Sequence, residues 1–191
     1  MTAIAAPARL FARRPAVLAT AAAVLASALV AGAALLLLGG GEKAGIRTVA
    51  AATGAFELSY PAGWEAAGPP ELLATEGRPD ALLRRSDSRG AVTVHEQPRL
   101  DGSLAEVKRD LDSRLERRMP DAKPVASRVV ALETGRALSY TFVRERAGLV
   151  HGIVVAPLGG RTLMVETAAR GDAADVATQI GGIVRSLRPG S

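Results

Sequence analysis

The strongest constraint in this chain is the stretch from Ala16 to Leu38, AVLATAAAVLASALVAGAALLLL, which holds no charge and nothing more polar than Thr20 and Ser27. As a helix its 23 residues would extend about 34 Å, enough to span a hydrocarbon layer of about 30 Å with modest tilt. A soluble core helix of that length would carry a polar stripe. The sequence therefore predicts one transmembrane helix over 16–38, with the lipid bilayer as its partner. Arg9, Arg13 and Arg14 precede it, and no acid does. Because basic flanks are retained on the cytoplasmic side, these three arginines are read as topogenic. The basic tail 1–15 then stays inside and residues 42–191 are exported, giving a single-pass protein of the cell membrane.

A cleaved signal peptide is the alternative, but its apolar region normally spans only about 7–15 residues. Cutting at Ala31-Gly32-Ala33 would leave four leucines near the new N-terminus, and Ala50-Ala51-Ala52 lies far beyond the apolar end. Arg13-Arg14 is followed by Pro15 without the rest of a twin-arginine export pattern.

Charge and composition narrow the partners. The formal net charge of +5 falls to +2 once the three N-terminal arginines are set aside, leaving 21 basic against 19 acidic residues. With aromatics at 3% as well, neither a basic footprint nor base-stacking platforms point to nucleic acid. The 0 cysteines exclude disulfides, zinc-thiolate sites, thiol nucleophiles and a lipidated cysteine anchor.

After Gly39-Gly40-Gly41, the segment 39–54 reads as a flexible tether. From Phe56 the periodicity becomes alternating: Phe56, Leu58 and Tyr60 on one side, Glu57 and Ser59 on the other, the pattern of a half-buried strand. Pro61 and Gly63 then turn the chain so that Trp64 folds back as a core anchor against that strand. Strands are predicted over 81–86 and 91–97, joined across Asp87-Ser88-Arg89-Gly90. Ser103 and Glu106 match a capping box, opening an amphipathic helix with Leu104, Val107, Leu111 and Leu115 that Pro120 stops. Strand-like runs follow at 125–133, 136–146, 149–157 and 161–168, separated by short glycine-bearing turns that suit antiparallel neighbours. Asp172 is read as the cap of a closing helix with the stripe Ala173, Val176, Ala177, Ile180, Val184 and Leu187. The expected fold class is α+β: an antiparallel sheet of six to seven strands packed by two amphipathic helices, preceded by the transmembrane helix.

The run Phe56-Glu57-Leu58-Ser59-Tyr60-Pro61-Ala62-Gly63-Trp64 resembles the opening F-x-hydrophobic-x-Y-P-x-G-W signature of PsbP-like α/β/α sandwich domains. Within that group the chain is similar to the bacterial envelope-anchored branch of LpqN-like and DcrB-like proteins, closing with Ile183-Val184-Arg185-Ser186-Leu187-Arg188. The resemblance covers residues 55–188, leaving 189–191 as a tail. It departs from the lipoprotein members, since no cysteine follows the apolar segment. The wording, rich in alanine, arginine and leucine and poor in lysine, is similar to that of actinobacterial envelope proteins. The resemblance implies an accessory, assembly or binding role, no cofactor and no catalytic residue.

No nucleophile elbow, phosphate loop, dinucleotide fingerprint or H-E-x-x-H motif occurs. His95 falls with Thr93 and Gln97 on the polar face of its strand, and His151 sits amid Leu149 and Ile153. A metal shared by the two would need a third, unidentified carboxylate. A structural role is the simpler reading of both. Arg170-Gly171-Asp172 spells an adhesion tripeptide, but turn and cap already explain it. Tyr60, Trp64, Tyr140 and Phe142 either fill the core, which is favoured, or line a groove for lipid or glycan. The function expected is a membrane-anchored, extracytoplasmic, non-catalytic binding or accessory domain of the bacterial envelope, with a protein, lipid or glycan partner. The alternatives are a tethered hydrolase using His95 or His151, or a signal-cleaved secreted carrier.

Overall fold

Alternating apolar residues and glycine turns in the second half of the chain produce the expected antiparallel meander, and both of its faces are covered. The computed structural model describes residues 45–51, 53–66, 79–100 and 102–190. The tail 1–15, the predicted transmembrane segment 16–38 and the first part of the tether lie outside these residues. Among the described residues no helix is long and apolar enough to cross a membrane.

In chain order the elements are β1 (Arg47–Ala50), β2 (Phe56–Tyr60), β3 (Trp64–Ala66), β4 (Ala81–Arg85), β5 (Gly90–Pro98), α1 (Leu104–Arg118), β6 (Ala122–Leu132), β7 (Gly135–Arg144), β8 (Leu149–Leu158), β9 (Arg161–Arg170), α2 (Ala174–Arg185) and β10 (Arg188–Pro189). Seven strands form the main sheet in the order β3-β4-β5-β9-β8-β7-β6, antiparallel throughout. A second sheet of three strands, β1-β2-β10, was not anticipated. Its β1 comes from the part of the chain read as tether: Arg47 pairs with Tyr60 and Ala50 with Glu57.

The side-chain parity of each strand decides which layer it feeds. Val150, Val154 and Ala156 of β8 face α2 and the small sheet, joining Phe56, Leu58, Trp64 and the α2 residues Val176, Ile180 and Val184 in the larger core. Leu138 and Tyr140 of β7 face the other way, where with Phe142 and Val155 they pack under Leu111 and Leu115 of α1. The result is a helix-bearing layer on each side of one sheet.

Both helices begin close to where the sequence placed them. Ser103 and Glu106 complete the capping box, with Ser103 N–H donating to Glu106 Oε2 at 2.7 Å and Glu106 N–H donating to Ser103 Oγ at 3.3 Å. The start of α2 differs: Ala173, not Asp172, is the N-cap, and no side chain caps it. Packing substitutes for capping there, since Ala173, Val176, Ala177, Ile180, Val184 and Leu187 are all buried.

One end of the sandwich, called proximal here, is where the chain arrives from its N-terminal segment. A Cβ on Gly45 would stand 3.3 Å from Ala62 Cβ, so the arriving chain lies against the β2–β3 turn. Neighbouring turns are stitched to it and to each other: Ser86 N–H donates to Gly63 O at 2.9 Å, Arg170 N–H to Arg89 O at 3.1 Å, and Gly171 N–H to Gly148 O at 3.0 Å.

Candidate functional site

The four aromatic groove candidates are buried and do not share a surface. Tyr60 and Trp64 belong to the larger core, Tyr140 and Phe142 to the smaller one on the opposite face of the sheet. Trp64 sits at the start of β3, where its Nε1–H donates to Gln179 Oε1 at 2.7 Å. Arg85 donates to the same oxygen at 2.9 Å, tying β3 and β4 to α2. Tyr140 donates its hydroxyl to Asp112 Oδ1 at 2.6 Å, and Lys108 donates to Asp112 Oδ2 at 2.6 Å. The Lys108 and Tyr140 bonds hold Asp112 below the usual carboxylate range, while burial and Asp112 push the Tyr140 phenol up. This cluster fastens α1 to the sheet.

The histidines are also placed by the sheet. His95 is only 3% exposed, so the polar alternation Thr93-His95-Gln97 does not mark a solvent face. The physical reason is that both faces of this sheet are covered, so that Thr93 is buried too. His95 pairs with Met164 and His151 with Ala168, on opposite sides of β9 and on one face of the sheet. Two strand spacings across and four residues along put their Cα atoms about 17 Å apart, too far for one metal ion. Among the described residues no group of three or more His, Cys, Asp or Glu side chains could hold a metal.

Sequence reading missed a carboxylate whose charge is coupled to His95. Glu166 lies two residues from Met164 on β9, and burial raises its pKa against the opposing charge of His95. No spacing rule links residues 95 and 166; only the β5–β9 register brings them together. His151 stacks on Phe142 with ring centroids 5.0 Å apart and planes 6° apart, and its buried Nε2 has no hydrogen-bond partner. Burial, reinforced by the Arg144 charge, lowers its pKa to about 4.

Among the described residues, arginines line recesses at both ends of the sheet. The distal one, about 370 Å³, lies beside the start of α1 between Leu104, Val107, Val155 and Pro157, with Arg99, Arg136 and Arg161 among its walls. Arg161 is engaged by Glu96. The proximal one, about 430 Å³, has a floor of Ala91, Ala147 and Ala168 and is walled by Arg84, Arg89 and Arg170. Register explains it: Arg84 stands opposite Ala91, and Ala91 opposite Ala168, so two methyl groups follow a guanidinium across the sheet.

No family profile matches the chain, and no curated protein sequence does. Among solved structures, cyanobacterial PsbP (CyanoP) from Synechocystis aligns over 79% of this chain and 96% of its own, with a TM-score of 0.56 and 14% identity. The chain has a PsbP-like fold. LpqN of Mycobacterium tuberculosis, a protein involved in cell envelope biogenesis, aligns over 76% of this chain and 92% of its own at 14% identity, with a TM-score of 0.48. At these identities the likeness is one of fold. The likeness to PsbP is carried by the sandwich as a whole.

Proposed function

We propose that this chain is a membrane-anchored, extracytoplasmic, non-catalytic binding or accessory domain of the bacterial cell envelope. The observation that carries the reading is the order of parts: three arginines, then 23 uncharged apolar residues, then a PsbP-like sandwich whose described residues begin seven residues after Leu38. The segment 16–38 is the anchor, Arg9, Arg13 and Arg14 hold its N-terminus inside, and the sandwich works close to the outer surface of the bilayer. The side chains with chemistry fit the non-catalytic part of this reading: the aromatics fill two cores, and His151 is held neutral against Phe142.

The absence of native cysteine allows a direct test. Single variants A3C and E133C, treated in intact cells with a membrane-impermeant maleimide, are expected to differ, with E133C labelled and A3C labelled only after lysis. Labelling of A3C but not E133C in intact cells would reverse the topology and refute the proposal.

A further inference from the structure

From the proximal end of the sandwich, we infer that this domain docks face-on to anionic lipid headgroups through Arg84, Arg146 and Arg170. The inference rests on the proposed anchor and specifies what the anchored domain touches. Gly45 lies against the β2–β3 turn at this end, and the seven residues from Leu38 to Gly45 reach at most about 25 Å. The end holding the 86–89, 145–148 and 171–173 turns is therefore the one nearest the headgroups.

The charges at this end are unevenly spent. Asp87 and Asp175 are taken up by Arg85 and Arg89, and Glu145 by Lys123. Arg84, Arg146 and Arg170 are exposed, and among the described residues none of them has an ion-pair partner. Among the described residues, Glu65, opposite Arg84 on β3, and the exposed Asp172 are the acids left nearby. Arg84 and Arg170 wall the alanine-floored proximal recess, and Arg146 occupies the turn whose Ala147 forms part of that floor. A planar guanidinium fork pairs with phosphate oxygens in bidentate fashion. A recess of this kind at the bilayer-facing end matches a phosphodiester headgroup in charge and position.

Each arginine near an anionic surface should raise the docked-to-undocked ratio about fivefold, and three together on the order of a hundredfold. The test uses the full chain in nanodiscs of either phosphatidylglycerol or phosphatidylcholine, with amide hydrogen exchange read turn by turn. Exchange at 86–89, 145–148 and 171–173 is expected to slow at least about tenfold in phosphatidylglycerol alone. That protection should vanish in the R84Q/R146Q/R170Q variant and at 1 M salt, where screening shortens to about 3 Å. The distal turns at 133–134 and 159–160 should exchange equally in both lipids and in the variant, and unchanged slow exchange of the β8 amides 150–155, paired on both sides, reports that the variant is folded. Equal exchange in the two lipids, with the chain still integrated in the discs, would overturn docking and leave the anchor standing. Failure of the chain to integrate at all would overturn both.

Discussion

Replacing Trp64 by alanine is expected to lower the stability of the sandwich by about 3–5 kcal/mol. The indole is 1% exposed in the larger core, and its surroundings leave little room to collapse into the gap. Gly90 is already so close that a Cβ there would meet Trp64 Cη2 at 3.0 Å and Val176 Cγ1 at 2.5 Å. The loss would also cut Gln179 off from β3, although Arg85 would still hold it. Trp64→Phe keeps most of the buried surface and should cost less. Urea unfolding of a fragment spanning residues 42–191 measures both. A cost below about 1 kcal/mol for Trp64→Ala would mean that the indole is not the anchor between β3 and α2.

The second large effect is set by pH. The His151 pKa is depressed to about 4 from an ordinary 6.5, with burial as the main cause and the Arg144 charge next. Between pH 6.5 and 4 the unfolded chain binds a proton that the folded chain refuses, so stability must fall as pH falls through that window. Complete titration corresponds to about 3 kcal/mol. Glu166 runs the other way: its raised pKa contributes stability at low pH that is lost as pH rises past its unfolded value. The informative quantity is therefore the difference between the chain and its His151→Phe variant. Phenylalanine can keep the stack on Phe142 and has no Nε2 to leave unpaired in the interior. The two proteins should be within about 1 kcal/mol of each other at pH 7.5, with the variant gaining about 2–3 kcal/mol on the parent by pH 4.5. Parallel stability curves across this range would show that His151 is not held neutral by its surroundings.

The contrast between what the residues announced and what they concealed follows from the range of the interactions involved. The meander β6–β9 and both helices rest on local signals: two-residue periodicity, glycine turns, a capping box and a buried stripe that returns every helical turn. The small sheet rests on none of these. Its β1 is four residues, RTVA, mostly exposed and without alternation, and β10 is two residues that pair with Glu57 and Phe56. Both are strands because β2 offers them edges, a long-range condition that the segment 39–54 does not reveal. The same limit governs the polar positions. Thr93 and His95 alternate like solvent-facing residues, but the sheet is covered on both faces and they are buried. The aromatics, read by type, favour the core over a groove, and all four are buried, but their types do not say that Trp64 and Tyr140 fill two cores on opposite sides of the sheet. Arg84, Arg146 and Arg170 were unmarked as a group because nothing in their spacing repeats. The β4–β5–β9 register and the turn-to-turn bond between Gly171 and Gly148 assemble them.

The claim on which the rest depends is that residues 16–38 hold a PsbP-like sandwich at the outer face of the membrane. Alkaline carbonate washing of membranes from cells making the full chain, beside a variant lacking residues 16–38, addresses it most directly. The full chain is predicted to stay entirely in the pellet and the deletion variant to be soluble. Release of the full-length polypeptide by alkali, or its recovery as a species already cut at residue 33 or 52, would contradict the claim.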